Sequence, residues 1–397
     1  MNVLIDLDQI ALIDPSDFTT PYNLALAGAI EAQGRRVRMI GQAGGSLHRQ
    51  GVQHGHFYPL LATNWGQRLP RGTARLVKGA CQGVDMFRLF RLLTAIEARI
   101  AHFQWSPLPA FDSCIMRRLR RRLPVVLTWH DSVPGNGSES WLMRQGYVSL
   151  LRSFHAIIVH TRQAQQRAMA MGIDPATVHR IPHGLLGDRG QQITFPKRRP
   201  RRDRLVLLQF GKIKSYKGID LLLEALTSVP RDLRRRLDVR IVGKPYMDTA
   251  KMERYVQAND LAGCVTFRFE FVCEAEEERL FADADAIILP YREIDASGVM
   301  MTAIARGVPV LATDLEGFRE LFEGGDGAVL VPPDDAAALS TAIVEWVCAP
   351  ERLDALAEGM LMRRASIPDW NEIARLHFDV YAEAHSRWTA ARNDEKG

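Results

Sequence analysis

The stretch from Ala286 to Thr313 constrains this chain more than any other. Ala286-Ile287-Ile288-Leu289 is an apolar run closed by Pro290, which reads as a short interior strand. A loop to Ser297 follows, then Gly298 to Arg306 as a helix of about nine residues capped by Ser297. Gly307 and Pro309 stop that helix, and Val310-Leu311-Ala312 reads as the next parallel strand. A helix N-terminus directed out of a parallel sheet suits an anion. The bland alternative is any strand–helix–strand unit packing a sheet.

A second stretch sharpens the choice. Leu205 to Gly211 is another buried strand running into glycine, followed by Lys212, Lys214 and Lys217 and a helix over Asp220 to Leu226. Three lysines directly after a strand are poor core material, and they stand where open α/β sheets bind ligands. Cations and a helix N-terminus together are chemistry for a diphosphate.

These residues resemble the retaining nucleotide-sugar-dependent glycosyltransferases of the two-Rossmann (GT-B) type, family 4 in particular. The family's Gly-Arg-x4-Lys-Gly appears as Gly211-Lys212-x4-Lys217-Gly218, with lysine for arginine. Its Ala-x-x-x-Gly-x-Pro-Val is matched by Ala303 to Val310. The Glu-x7-Glu that precedes it is not: Thr302 holds the second glutamate position, and the first falls near Ile294 and Asp295. Polysaccharide-pathway relatives carry a similar Tyr-Arg-x4-Ser-Gly-Val segment, here Tyr291 to Val299, so the resemblance implies a variant site. It also implies that Lys212 and Lys217 serve catalysis, and that Gly211, Phe271, Val272, Asp295, Ser297, Gly298, Val299 and Thr302 bind the donor. The base would be held at Glu270-Phe271-Val272, and Leu315 to Phe318 resembles the family's Gly-Gly loop.

The 397 residues suggest two or three domains. The resemblance implies an α/β fold of two Rossmann-like parallel-sheet domains facing each other across a cleft. The expected bounds are 1–190 for the acceptor domain and 203–370 for the nucleotide-sugar domain, with a C-terminal helix over 375–397 crossing back. Lys197 to Arg202 reads as the linker. At 47% hydrophobic and 24% charged, the composition is that of a soluble globular protein. Five scattered cysteines without a CxxC suit a reducing cytosol, not a disulfide or zinc framework. There is no signal-peptide layout and no 18-residue apolar run, so a cytoplasmic location is expected.

In the first half, Val3 to Ile5 and Val37 to Ile40 read as strands around a helix from Thr20-Pro21 to Gly34. No GxGxxG follows the first strand, which argues against a dinucleotide-dependent dehydrogenase. Asp6-Leu7-Asp8 and Asp283-Ala284-Asp285 look like metal-binding DxD pairs but read as structural. No metal and no cofactor is therefore expected beyond a UDP- or GDP-sugar substrate. Residues 41–80 read as a long loop, Met86 to Phe103 as a helix, and Val125 to Asp131 as a strand ending in His130-Asp131. The family's Thr-x-His places a histidine by the transferred sugar, which implies that role for His130.

Charge is uneven. Residues 1–196 hold 22 Lys/Arg against 12 Asp/Glu, whereas residues 197–397 hold 29 against 34. Phe111 to Leu123 reads as a helix bearing Arg117, Arg118, Arg120, Arg121 and Arg122. A solvated basic face is the plain reading. The functional one is a patch for an anionic membrane surface, with Phe111, Ile115, Met116 and Leu119 available to pack or insert. No aromatic residues interleave with the arginines, so nucleic acid is not expected.

A retaining, metal-independent transferase is thus expected, peripheral on the inner face of the cell membrane and moving sugar to a lipid-linked saccharide acceptor in polysaccharide biosynthesis. The alternatives are a GT-B sugar-nucleotide epimerase or phosphorylase, and a non-catalytic membrane-surface scaffold favoured by the missing glutamate at Thr302.

Overall fold

The computed structural model describes residues 9–15, 17–43, 45, 57–60, 84–106, 109–132, 146–187, 203–323, 325 and 327–394. The chain divides into two compact units, residues 1–184 with 368–397 and residues 185–367.

In the first unit the strands are β1 (Gln9–Asp14), β2 (Arg36–Gln42), β3 (Phe57–Leu60), β4 (Ile100–Phe103), β5 (Val125–Thr128), β6 (Ala156–Val159) and β7 (Val178–Arg180). They form one parallel sheet in the order β3-β2-β1-β4-β5-β6-β7. The central strands are apolar along their whole length because helices cover both faces of a parallel sheet. Strand order reverses between β1 and β4, and the carboxyl ends flanking that reversal are where such sheets open a crevice.

The second unit repeats the plan with β8 (Leu205–Phe210), β9 (Leu237–Val242), β10 (Val265–Arg268), β11 (Ala286–Leu289), β12 (Val310–Thr313) and β13 (Ala328–Val331), ordered β10-β9-β8-β11-β12-β13. Here the reversal lies between β8 and β11, the two strands that precede the lysine loop and Ser297. Leu222, Leu226, Ile241, Ile288, Ile343 and Trp346 fill the core on one face. Leu208, Ile287, Met300, Ile304 and Phe318 fill it on the other.

Several sequence expectations need correction or fall outside the described residues. Val3–Ile5, Asp6–Asp8 and Lys197–Arg202 lie outside them, and the first described strand is Gln9–Asp14. The helix expected over Met86–Phe103 ends at residue 95. Glu97 then takes a positive φ of 51°, and Ile100–Phe103 pairs with β1 and β5 as a buried strand. The loop expected over 41–80 contains β3, and its residues 46–56 and 61–80 are not described. The arginine helix spans Pro109–Leu119, so Arg120, Arg121 and Arg122 sit in the turn beyond it. The last helix runs Trp370–Asp394 and packs within the first unit, where Arg387 Nη1 donates to the His155 carbonyl at 2.9 Å.

Two glycines fix the loop ends in the second unit. Gly218 has φ 64°, and a Cβ there would drive into the Pro290 carbonyl oxygen. Gly243 has φ 152°, and its Cβ would drive into the Gly211 carbonyl oxygen. At Gly263, by contrast, a Cβ meets nothing within 4 Å. Gly218→Ala should therefore lower the unfolding free energy by at least about 2 kcal/mol, while Gly263→Ala changes it by less than about 0.5 kcal/mol. Urea denaturation of both variants checks this; equal midpoints would contradict the close approach.

Candidate active site

Each unit gathers chemistry-bearing side chains at its own sheet reversal. In the second unit the chain leaves β8 through Gly211 and makes a single 3-10 turn over Ser215–Lys217. Lys217 is only 6% exposed. Its Nζ donates to the Tyr291 hydroxyl and lies 4.2 Å from that ring's centroid. Burial, with help from Lys214 and Lys212, pulls its pKa down to about 7. Tyr291 follows β11 and is fully buried, and burial raises its own pKa. Ser297 stands close enough to the same hydroxyl to temper that rise, and its Oγ accepts the Met300 N–H at 3.3 Å and caps the helix Gly298–Ala305. A Cβ at Gly211 would lie 3.3 Å from Val299 Cγ2 and 3.5 Å from Lys217 Nζ. Gly211, Lys217, Tyr291, Ser297 and Val299 thus converge.

The remaining expected donor residues divide. Gly298 opens the capped helix, and Asp295 is buried just before it. Thr302 is 3% exposed and spends its hydroxyl on the Gly298 carbonyl at 3.0 Å, so it offers no substitute for a carboxylate. Phe271 is 67% exposed, whereas Val272 is buried in the core beside Leu208 and Val242. Lys212 Nζ lies 6.0 Å from the Tyr246 ring, and Lys244 Nζ approaches the same ring at 5.8 Å. Arg292 is occupied by Asp220 at 2.8 and 2.9 Å and by Asp334 at 2.8 Å. Tyr291 was quoted from sequence only as the start of a motif and given no role, and Lys244 and Tyr246 were not singled out; their signal is position after β11 and β9.

In the first unit His130 follows β5. Its Nε2 stands 2.7 Å from the Gln104 amide and its Nδ1 3.1 Å from His160 Nε2. Tyr22 packs against His130, His160, His183 and Trp370, with ring centroids 4.9 to 5.4 Å away. Trp105 stacks on His130 at 5.9 Å. His102 bridges Tyr381 and Thr128, and His377 lies next to Tyr22. Burial, reinforced by the neighbouring histidines, lowers the pKa of His102 and His130 well below the ordinary histidine value. Burial likewise brings His160 to about 3 and His183 and His377 to about 4. Sequence reasoning found His130 and missed its partners, because they come from five separate elements.

The arginine segment is less free than expected. Met116 and Leu119 are core residues, and Ile115 packs partly against the same core, so neither Met116 nor Leu119 is available to insert. Arg120 Nη1 donates to the Arg152 carbonyl at 3.1 Å, Arg117 Nε donates to the Ser113 carbonyl at 3.3 Å, and Arg122 lies 4.7 Å over the Phe90 ring. Arg118 is exposed. The Phe111 side chain lies outside the described residues. Among the described residues no group of three His, Cys, Asp or Glu is arranged to hold a metal ion. Asp283 pairs with Arg240, and Asp285 accepts the Val206 N–H at 2.8 Å.

Comparison with known proteins follows this division. Residues 19–184 match the model of a glycosyl transferase 4-like domain, and residues 204–348 match that of glycosyl transferases group 1. The chain is 30% identical over 270 residues to a GDP-mannose:glycolipid 4-beta-D-mannosyltransferase of Xanthomonas campestris, covering 66% of this chain and 69% of that protein. This chain belongs to the group 1, family-4-like glycosyltransferases. A phosphatidyl-myo-inositol mannosyltransferase of Mycolicibacterium smegmatis is 28% identical over 266 residues, covering 65% of this chain and 64% of the relative. The structure of Anabaena HepE in complex with UDP and glucose superposes with a TM-score of 0.73 at 17% identity, covering 94% of this chain and 99% of that one. Both parallel-sheet units are therefore those of a GT-B fold.

For this glycosyltransferase the lowered pKa of Lys217 has a stability consequence with a definite sign. The folded state binds fewer protons than the unfolded one between pH 7 and the ordinary lysine value, so stability rises with pH across that window. The cost is fully present below pH 7. Lys217→Met keeps the volume and removes the titration. Between pH 7 and 9, wild type should gain roughly 2 kcal/mol of unfolding free energy relative to Lys217→Met. Denaturant titrations at both pH values read this directly; parallel profiles would rule it out.

Proposed function

We propose that the chain transfers a sugar, with retention at the anomeric carbon and without a metal ion, from a UDP- or GDP-sugar to a lipid-linked saccharide. The observation that carries this reading is the buried Lys217 held on the Tyr291 hydroxyl beside the Ser297 cap, at the adjoining ends of β8 and β11. A nucleoside diphosphate leaving group gathers negative charge as its bond to the sugar breaks. Lys217, Lys212 and the N-H groups opening the helix Gly298–Ala305 are donors set to meet that charge. They need no reorganisation, since the glycine contacts already hold the loops.

Lys217 near neutrality suits the task. It carries little charge at alkaline pH when nothing faces it, and a diphosphate beside it would restore the ammonium form. Tyr246, between Lys212 and Lys244, and the exposed Phe271 present aromatic faces at the ends of β9 and β10 that suit a nucleobase. On the acceptor side, His130 would position a sugar hydroxyl, with Trp105 stacked beside it.

The substrate class leans on the relatives. Their names specify GDP-mannose with a glycolipid and phosphatidyl-myo-inositol, and the HepE structure holds UDP and glucose. Those names favour a lipid-borne acceptor met at a membrane surface. Because Met116 and Leu119 are packed in the core, neither would insert, and the contact this segment would offer is electrostatic, through the arginines of residues 117–122. No described helix is long and apolar enough to cross a membrane. The burial of the Thr302 hydroxyl in its own helix is the one observation favouring a non-catalytic scaffold.

Donor-dependent transfer decides between the two. Lys212→Ala and Lys217→Ala should each lower kcat/KM at least tenfold, toward the ~3 kcal/mol typical of losing one preorganised donor. Transfer by the wild-type chain should persist in EDTA. Full activity in both lysine variants would remove the leaving-group assignment, and loss in EDTA reversed by magnesium would remove metal independence.

The arginine segment has its own test. Sedimentation with anionic vesicles at low salt should exceed that with neutral vesicles, and should fall when Arg117, Arg118, Arg120, Arg121 and Arg122 become glutamine. Equal binding to neutral vesicles would contradict a membrane role for the segment.

A further inference from the structure

We propose that Gln104 is a positioning residue that holds His130 as its Nδ1–H tautomer, donating its amide N–H to the Nε2 lone pair that a sugar hydroxyl would take over. The last clause rests on the function proposed above; the tautomer does not.

The protons around His130 are fixed from a backbone carbonyl, which only accepts. At one end the Ile181 carbonyl lies 3.0 Å from His160 Nδ1, so that nitrogen carries the proton and His160 Nε2 carries a lone pair. His130 Nδ1, 3.1 Å away, must then donate to it. A neutral His130 is left with a lone pair on Nε2. Its partner at 2.7 Å is the Gln104 amide, placed with the oxygen toward the ring. Two lone pairs cannot share that distance, so the amide is turned by half a rotation, with its NH2 toward His130. Amide oxygen and nitrogen are assigned from such networks and not from shape.

The other end fits the same arrangement. The Ile373 carbonyl lies 2.8 Å from His377 Nδ1, so His377 Nε2 accepts from the Tyr22 hydroxyl at 3.4 Å. With the amide turned, its oxygen faces His102 Nε2 at 3.3 Å, so that nitrogen carries the proton and also donates to Thr128 Oγ1 at 2.7 Å. His102 Nδ1 then accepts from the Tyr381 hydroxyl at 2.8 Å. Every ring stays neutral and every lone pair meets a proton. The other solution, with the oxygen toward His130, needs an imidazolium in a pocket lined by Tyr22, Trp105, His160 and His183, and no carboxylate among these balances it.

Gln104 is 1% exposed and His130 half-buried, and a hydroxyl bound at His130 would take over the place of the amide N–H. Gln104 thus stands in for a hydroxyl donor. It also keeps the ring from turning over, which would present a donor in place of an acceptor.

Two-bond 15N–1H correlation spectra of the full chain with 15N-labelled histidine read the ring state without substrate, with His130 assigned by its loss in His130→Asn. At pH 7.5 the wild-type His130 should show the Nδ1–H pattern. In Gln104→Glu the carboxylate only accepts, His160 still demands the Nδ1 proton, and His130 should become an imidazolium. A merely space-filling role predicts no difference between Gln and its near-isostere Glu. In kinetics, Gln104→Glu and Gln104→Leu should each lower kcat at least tenfold with the donor KM changed less than twofold. A wild-type His130 in the Nε2–H or imidazolium form, or a neutral ring in Gln104→Glu, would overturn the inference whatever the activity. The expected ring states combined with wild-type transfer by His130→Ala would instead overturn the hydroxyl-acceptor role and the acceptor-side part of the proposed function, leaving the tautomer established.

Discussion

The second unit depends on keeping a lysine amine buried against a tyrosine ring. Water would hold the Lys217 ammonium more cheaply than the space beneath Tyr291 does, so the position costs stability and persists only because its surroundings are over-determined. Gly218 lets the turn after Lys217 press against the Pro290 carbonyl, and Gly243 lets β9's exit press against Gly211. Arg292, clamped by Asp220 and Asp334, ties the end of β11 to the helix Ile219–Ser228. Each contact removes a way for the lysine to swing out. An amine held ready in this manner, to be protonated beside a diphosphate, is worth more to a developing anion than one that must be gathered at the moment of reaction.

The first unit solves a different problem at the matching place in its own sheet. Among its described residues it has no buried ammonium. It has a set of neutral rings in which the Ile181 carbonyl directs the protons of His160 and His130, and Gln104 lies between His130 and His102. Histidines packed this closely cannot all be charged, and burial keeps them neutral. What such a network supplies is direction: it decides which nitrogen of His130 offers a lone pair. One unit is thus suited to meet charge and the other to orient a neutral hydroxyl.

The parts of this legible in the sequence were local. Ala286–Thr313 and Leu205–Leu226 announced strand, loop and helix through apolar runs closed by glycine and proline, and the structure has those elements within a few residues. Ser297 as a cap was legible because capping is an interaction across three residues. The helix expected over Met86–Phe103 is present to residue 95 and was extended too far, because the short segment Ile100–Phe103 carries no pattern that separates helix from buried strand; pairing with β1 and β5 decided it. The arginine helix misled for a related reason. Periodicity showed an apolar face on Met116 and Leu119, but only packing showed that the core already covers it. Tyr291 and Gln104 were beyond reach, since their partners lie 74 and 26 residues away in sequence.

Calorimetric titration of the full chain with UDP and with GDP at pH 8, in buffers of different ionisation enthalpy, tests the central claim most directly. At that pH the diphosphates are fully ionised and Lys217, with a pKa of about 7, is mostly neutral. Binding beside it should draw about 0.9 proton from the buffer, by simple titration of one such group. Lys217→Met should bind the same nucleotide more weakly and draw none. Heats that do not vary with buffer, or an uptake that survives in Lys217→Met, would contradict a nucleoside diphosphate site at this lysine.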